Sequence, residues 1–165
     1  MKFPNFKFQE KGFTLPEVMI AVFIILVGII GISGVFPKII SLTGLSSLEF
    51  TASYLSQEGI ELVRNIRDEN LLNPQNWDDG LDEGDYGVRY DGNILLSGYG
   101  DVFLKIDSDG FYNYFSGGDD TLFKRKITIK KEDDNTILVT SSVKFDFKGK
   151  SYDFSAEEYL YQWLK

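Results

Sequence analysis

The chain contains neither cysteine nor histidine. Without cysteine there are no disulfide staples, no thiolate metal sites and no thiol nucleophiles. Without histidine there is no ready general base near neutral pH, and the commonest metal ligand is missing. Positive charge is also scarce. Seventeen Lys and Arg stand against 25 Asp and Glu, a formal net charge of -8, which argues against nucleic acid as a partner because that demands a basic face. An anchored hydrolase would have only scattered Asp and Glu to work with, so no catalytic activity is expected. The lack of cysteine says that the fold does not depend on an oxidising compartment, and no more. What the chain does have is apolar material: 43% hydrophobic and 15% aromatic residues in 165. That suffices for one folded domain plus an anchor and is unlike a disordered chain. No internal repeat is visible.

The apolar material is concentrated near the N-terminus. Val18 to Phe36 is 19 residues without a charge, and Ser33 is its one polar side chain. As a helix it spans roughly 28 Å, close to the hydrocarbon thickness of a bilayer. It is apolar on every face, whereas a soluble helix shows a polar side. Lys2, Lys7 and Lys11 precede it against one acid, Glu10, so the N-terminus is expected to stay inside and the rest to be exported. A cleaved secretory signal fits poorly, because the run is too long and no small-x-small site follows.

Glu17 is the anomaly at the mouth of this run. A carboxylate in lipid is costly unless neutralised or paired. Either it sits wet at headgroup level, or a cation reaches it from outside the segment, which offers none. Gly12-Phe13-Thr14-Leu15-Pro16-Glu17 followed by an apolar helix resembles the class III signal of type IV prepilins and pseudopilins. The resemblance implies cleavage between Gly12 and Phe13 by a prepilin peptidase and N-methylation of Phe13. It implies that Glu17 pairs with the N-terminal ammonium of a neighbouring subunit during assembly. Its expected partners are that peptidase, other pilins or pseudopilins, an inner-membrane assembly platform and the membrane itself, crossed once. The expected location is the cytoplasmic membrane, then an extracytoplasmic filament or the cell surface. Pro16 departs from the family's usual aliphatic residue. It is tolerable if it falls in the first turn, whose N–H groups lack intrahelical acceptors, which a helix starting at Phe13 after cleavage would ensure. Gly28, Gly31 and Gly34 recur every third residue, suiting close helix approach or local loosening, and Pro37 is expected to kink or break the helix.

Past residue 38 the pattern turns amphipathic. Leu48, Ala52, Leu55, Gly59, Leu62 and Ile66 form one stripe. Gln57, Glu58, Glu61, Arg64, Asn65, Arg67 and Asp68 lie mostly off it, with Glu61 and Arg64 spaced for a surface pair. Ala52–Leu72 is similar to segments of minor pilins of the pilus modification kind, which points to a minor subunit.

Beyond Asn73-Pro74, turn residues punctuate short aromatic and β-branched runs. Strands are expected at Tyr86–Tyr90, Val102–Ile106, Phe111–Phe115, Phe123–Lys131, Thr136–Phe147 and Tyr152–Tyr161. Glu132 to Asn135 should close a hairpin. Ser155 and Glu158 have capping-box spacing, but the last segment reads better as a strand, with Tyr159, Tyr161 and Trp163 holding it by burial. The expected fold is α+β and pilin-like: one long N-terminal helix against an antiparallel sheet. Its parts are a leader (1–12), a transmembrane helix (13–37), an amphipathic helix (38–72) and a β-sheet head (73–165).

No metal or cofactor is expected. Asp107-Ser108-Asp109-Gly110 begins like a calcium loop, a site some pseudopilins possess, but the later oxygen ligands and the Glu are missing. It reads as a solvated turn, as do Asp78-Asp79 and Asp119-Asp120. Lys124-Arg125-Lys126 beside Phe123 reads as alternation along a strand. The expected function is that of a filament subunit. The alternative is a surface binding module or adhesin that stays anchored and never polymerises.

Overall fold

The computed structural model describes residues 12–74, 76–89, 94–98, 101–114 and 118–163. The leader residues before Gly12, and the expected strand ends Tyr90 and Phe115, lie outside these. The chain divides into two compact units, Met1–Gly44 and Leu45–Lys165.

In the first unit, α1 (Leu15–Ser33) has no buried residue. The helix breaks at Gly34–Val35 and resumes as α2 (Phe36–Leu72). Val35 N–H donates to Ile32 C=O at 3.0 Å, and Ile39 N–H donates to Val35 C=O at 3.1 Å. Pro37 accounts for the position of the break. In an unbroken helix its ring would clash with the carbonyl of Ser33. In the first turn of α2 its missing N–H costs nothing.

In the second unit the rest of α2 lies on a seven-stranded antiparallel sheet: β1 (Gly84–Val88), β2 (Leu95–Ser97), β3 (Phe103–Ile106), β4 (Tyr112–Asn113), β5 (Asp119–Asp133), β6 (Thr136–Phe147) and β7 (Lys150–Tyr161). β5 is the spine. β6 and then β7 follow on one side. The β3–β4 and β1–β2 pairs share the other. The fold is thus α+β, a long N-terminal helix followed by an antiparallel sheet. The hairpin turns at Asp134–Asn135 as expected, and β7 is a strand rather than a capped helix.

Several expectations need correction. β2 was not foreseen, because its apolar run is shorter than an ordinary strand signal. Asp119 and Asp120 open β5, and Lys105 Nζ pairs with Asp120 at 3.4 Å. Asp78 and Asp79 do lie in a turn, where Lys131 holds Asp78 at 2.8 Å. The terminal aromatics do not hold β7 by burial. Strand alternation turns Leu160 inward and Tyr159 outward, and Tyr159, Tyr161 and Trp163 are 50%, 53% and 60% exposed. The twelve-residue ladder on β6 holds the strand instead. On α2 the buried seam passes through Ile60 and Val63, with Leu62 at its margin, and Arg67 is buried rather than off the stripe. Arg64 meets Glu61 as foreseen, and also Glu158 of β7.

The core is two apolar clusters in line along the helix. Ala52, Leu55, Leu104, Tyr114, Phe123, Val143 and Phe145 form one. Ile60, Val63, Ile66, Trp77, Leu81, Val88, Ile127, Ile129, Ile137, Val139 and Leu160 form the other. On α2, β5 and β6, which contribute to both clusters, a polar or small residue sits between them: Ser56 and Gly59 on α2, Arg125 on β5, Ser141 on β6. Arg125, the middle of the Lys-Arg-Lys run, is fully buried. It donates to Glu58 Oε2 at 2.7 Å, Leu55 C=O at 3.2 Å and Val88 C=O at 2.8 Å. Ser56 Oγ donates to Ser141 C=O at 2.7 Å.

Candidate processing and assembly site

Gly12, Phe13 and Thr14 precede α1 in extended or irregular backbone, and Phe13 is 82% exposed. Thr14 is the N-cap, and Val18 N–H donates to its carbonyl at 3.2 Å, the first bond of the helix. Pro16 is then the second helical residue. The lack of an N–H is harmless there in the uncut chain too, so the tolerance of Pro16 does not depend on cleavage after Gly12.

Glu17 is the third helical residue, exposed, on a helix with no buried side chain. Its Oε2 accepts a hydrogen bond from Thr14 N–H at 3.4 Å. Thr14 was not foreseen as its partner. The signal was present, since Thr14 and Glu17 have the N-terminal capping-box spacing. A carboxylate here also meets the positive end of the helix dipole. No Lys or Arg occurs from Gly12 to Pro37, so the helix itself supplies Glu17 with no full counter-charge.

α1 and α2 together contain, among the described residues, one stretch long and apolar enough to cross a membrane. Added Cβ atoms at Gly28, Gly31 and Gly34 would meet nothing within 4 Å. Gly34 caps α1 at φ -77°, within ordinary right-handed space. Among the described residues, therefore, no contact requires glycine at these three positions.

The other candidates are engaged locally. Asp107 Oδ1 accepts from Asp109 N–H at 3.0 Å and Phe111 N–H at 2.9 Å, closing the β3–β4 turn. Lys124 and Lys126 lie on the sheet face opposite Arg125 and pair with Asp101 at 2.9 Å and Asp85 at 3.0 Å. The Thr128 hydroxyl and the Lys126 ammonium hold the Asp85 carboxyl below the usual carboxylate range. This is strand alternation, as the sequence suggested.

Compared with known families, residues 7–33 match the prokaryotic N-terminal methylation motif. No curated protein and no solved structure matches the chain. The matched span covers Gly12, Phe13, Glu17 and all of α1. The N-terminal segment of this chain is therefore a type IV prepilin-like class III signal.

Proposed function

We propose that the chain is a structural subunit, a minor pilin or pseudopilin, of a type IV pilus or related filament. It is inserted with its N-terminus inside, cut after Gly12 by a prepilin peptidase and methylated on Phe13. It then assembles through its N-terminal helix. The observation that carries this reading is Glu17, an exposed acid in the first turn of a wholly exposed apolar helix whose sequence matches the methylation motif. Cleavage would create an ammonium at Phe13, and the Phe13 ammonium of a neighbouring subunit would neutralise Glu17 at similar depth. Each subunit would thus neutralise one expensive charge and offer another. The likeness of Ala52–Leu72 to minor pilins supports the minor-subunit form. Loss of the leader also removes three lysines and one glutamate, leaving a mature chain still more acidic, which favours solubility of the exported part.

The test is the intact mass and N-terminal sequence of the protein from membranes of cells with and without the peptidase. A chain beginning at methylated Phe13, only with the peptidase, is expected. Retention of residues 1–12 in both would make the protein a permanently anchored surface module. Glu17→Gln, which keeps the shape and removes the charge, is expected to be cut normally. It should then enter filaments poorly, because an unpaired ammonium in an apolar interface costs roughly 3 kcal/mol or more, about a hundredfold in incorporation. Undiminished incorporation measured in sheared filament fractions would end the pairing idea.

A further inference from the structure

β7 is a long sheet edge, guarded by charge at Lys150, Asp153, Glu157 and Glu158 but not by its shape. Among the described residues it pairs with β6 alone, in unbroken register from Thr136–Tyr161 to Phe147–Lys150. It contains no proline and no bulge, two usual protections of an edge. The phase of the ladder follows from Gln162, whose N–H donates to Asn135 C=O at 3.0 Å. Even-numbered residues of β7 therefore turn their backbone groups toward β6, and odd-numbered ones turn theirs outward. Arg67 Nη1 caps the last of the outward row, Tyr161 C=O, at 3.1 Å. Ser151, Asp153, Ser155, Glu157 and Tyr159 present the rest.

The side chains select what this edge can receive. Consider a second copy of β7, antiparallel, with outward groups matched to outward groups. Centred on Asp153, the two Asp153 carboxylates face each other. Centred on Ser155, Asp153 faces Glu157 twice. Both registers repel. Centred on Ala156, Phe154 faces the Glu158 carboxylate. Centred on Phe154, no pairing sets like charges opposite each other. Lys150 faces Glu158, Asp153 faces Ser155, Ser151 faces Glu157, and the large Tyr152 faces the small Ala156. At the centre the two Phe154 rings meet. Phe154 is 37% exposed on the helix side of the sheet, where it lines a groove of about 230 Å³ with Ser46, Glu49, Phe50 and Ser53. Phe50 is itself exposed, and the two rings would cover apolar surface there.

We propose that β7 is a homodimer contact: two copies pair their β7 edges antiparallel, centred on Phe154, and join their sheets into one. The contact lies wholly in the sheet unit and does not depend on processing at Gly12.

The chain has no cysteine, so single-cysteine variants of the full-length protein in detergent report the register directly. Residues at the centre of such a dimer have Cα atoms about 4.5 Å apart, within disulfide reach. Two copies of residue 159 would lie roughly 34 Å apart. Mild oxidation is expected to give a covalent dimer with Phe154→Cys and none with Tyr159→Cys. Light-scattering mass supplies the second measurement, with Phe154 intact. Ser155→Pro removes an outward N–H that β6 does not use, so the fold should survive. It is expected to halve the mass, while Ser155→Ala leaves the dimer. Equal cross-linking at both positions would overturn the proposal, as would equal mass for the two Ser155 variants. A monomer throughout, with native circular dichroism, would also overturn it and leave the edge to an extended segment of another protein.

Discussion

Glu58→Ala is expected to destabilise the sheet unit by about 3 kcal/mol, more than the removal of any other surface-reaching carboxylate. Arg125 has no exposed side-chain area, and Glu58 supplies its counter-charge at 2.7 Å. The carbonyls of Leu55 and Val88 satisfy two further guanidinium contacts but neutralise no charge. Truncating Glu58 would leave a full charge buried between two apolar clusters. Glu58 is itself a third exposed, so entering water would soften the loss and hold it near the lower end of the range for broken buried pairs. Arg125→Met tests the same pair from the other side. It removes the buried charge, and the carboxylate left behind can hydrate. About 1–3 kcal/mol should be lost there, mostly from the orphaned carbonyls. The double variant is then expected to be more stable than Glu58→Ala alone. Denaturant unfolding followed by Trp77, which is buried in the second cluster, measures all three. If Arg125→Met proved the more damaging single change, the pair would owe its place to packing rather than charge balance.

The same residue shows what the sequence could reveal. Alternation put Lys124, Arg125 and Lys126 on a strand, and alternation alone requires the middle one to face the opposite way from its neighbours. The sequence could not show that the opposite side is a closed core, because that depends on how near α2 approaches. The strong periodic features were readable locally: the uncharged run of α1, the β5–β6 hairpin and the alternating β6. Those that depended on tertiary geometry were not. Leu62 and Val63 are equally apolar, and only the angle of α2 against the sheet puts Val63 on the seam. Thr14 and Glu17 carry the same spacing as Ser155 and Glu158. One pair begins a helix and the other sits in a strand, since the β6 ladder outweighs a local cap. Tyr159 and Tyr161 looked like core because of their size, but strand phase assigns them outward. At the candidate site the motif residues were legible because they lie in one contiguous stretch. Within the chain Glu17 meets the Thr14 N–H, and the ammonium proposed to neutralise it belongs to a second subunit.

Gly59→Ala should change sign with its background. A Cβ at Gly59 would fall 2.4 Å from Ser141 Oγ and 2.7 Å from Ile127 Cδ1. The Ile127 methyl ends a flexible side chain and can rotate away. Ser141 Oγ is one bond from its Cβ, is buried, and has no hydrogen-bond partner among the described residues. In the natural chain the alanine must therefore push α2 off the sheet. That strains the Ser56–Ser141 bond and the Arg125–Leu55 contact, both on the same stretch of helix. A loss of about 1–3 kcal/mol is expected, exceeding the roughly 1 kcal/mol that alanine gains over glycine in a helix. Ser141→Ala removes an unsatisfied buried hydroxyl and leaves its carbonyl free to accept from Ser56, so alone it should be neutral or stabilising by about 1 kcal/mol. In that background the 2.4 Å contact is gone, and the remaining 3.3 Å approach to the Cβ of residue 141 needs a shift of only a few tenths of an ångström, so Gly59→Ala should stabilise through helix propensity. The four midpoints of the double-mutant cycle decide the matter. Additive effects would mean that the helix does not rest on Ser141, and that Gly59 is there for a reason other than close approach.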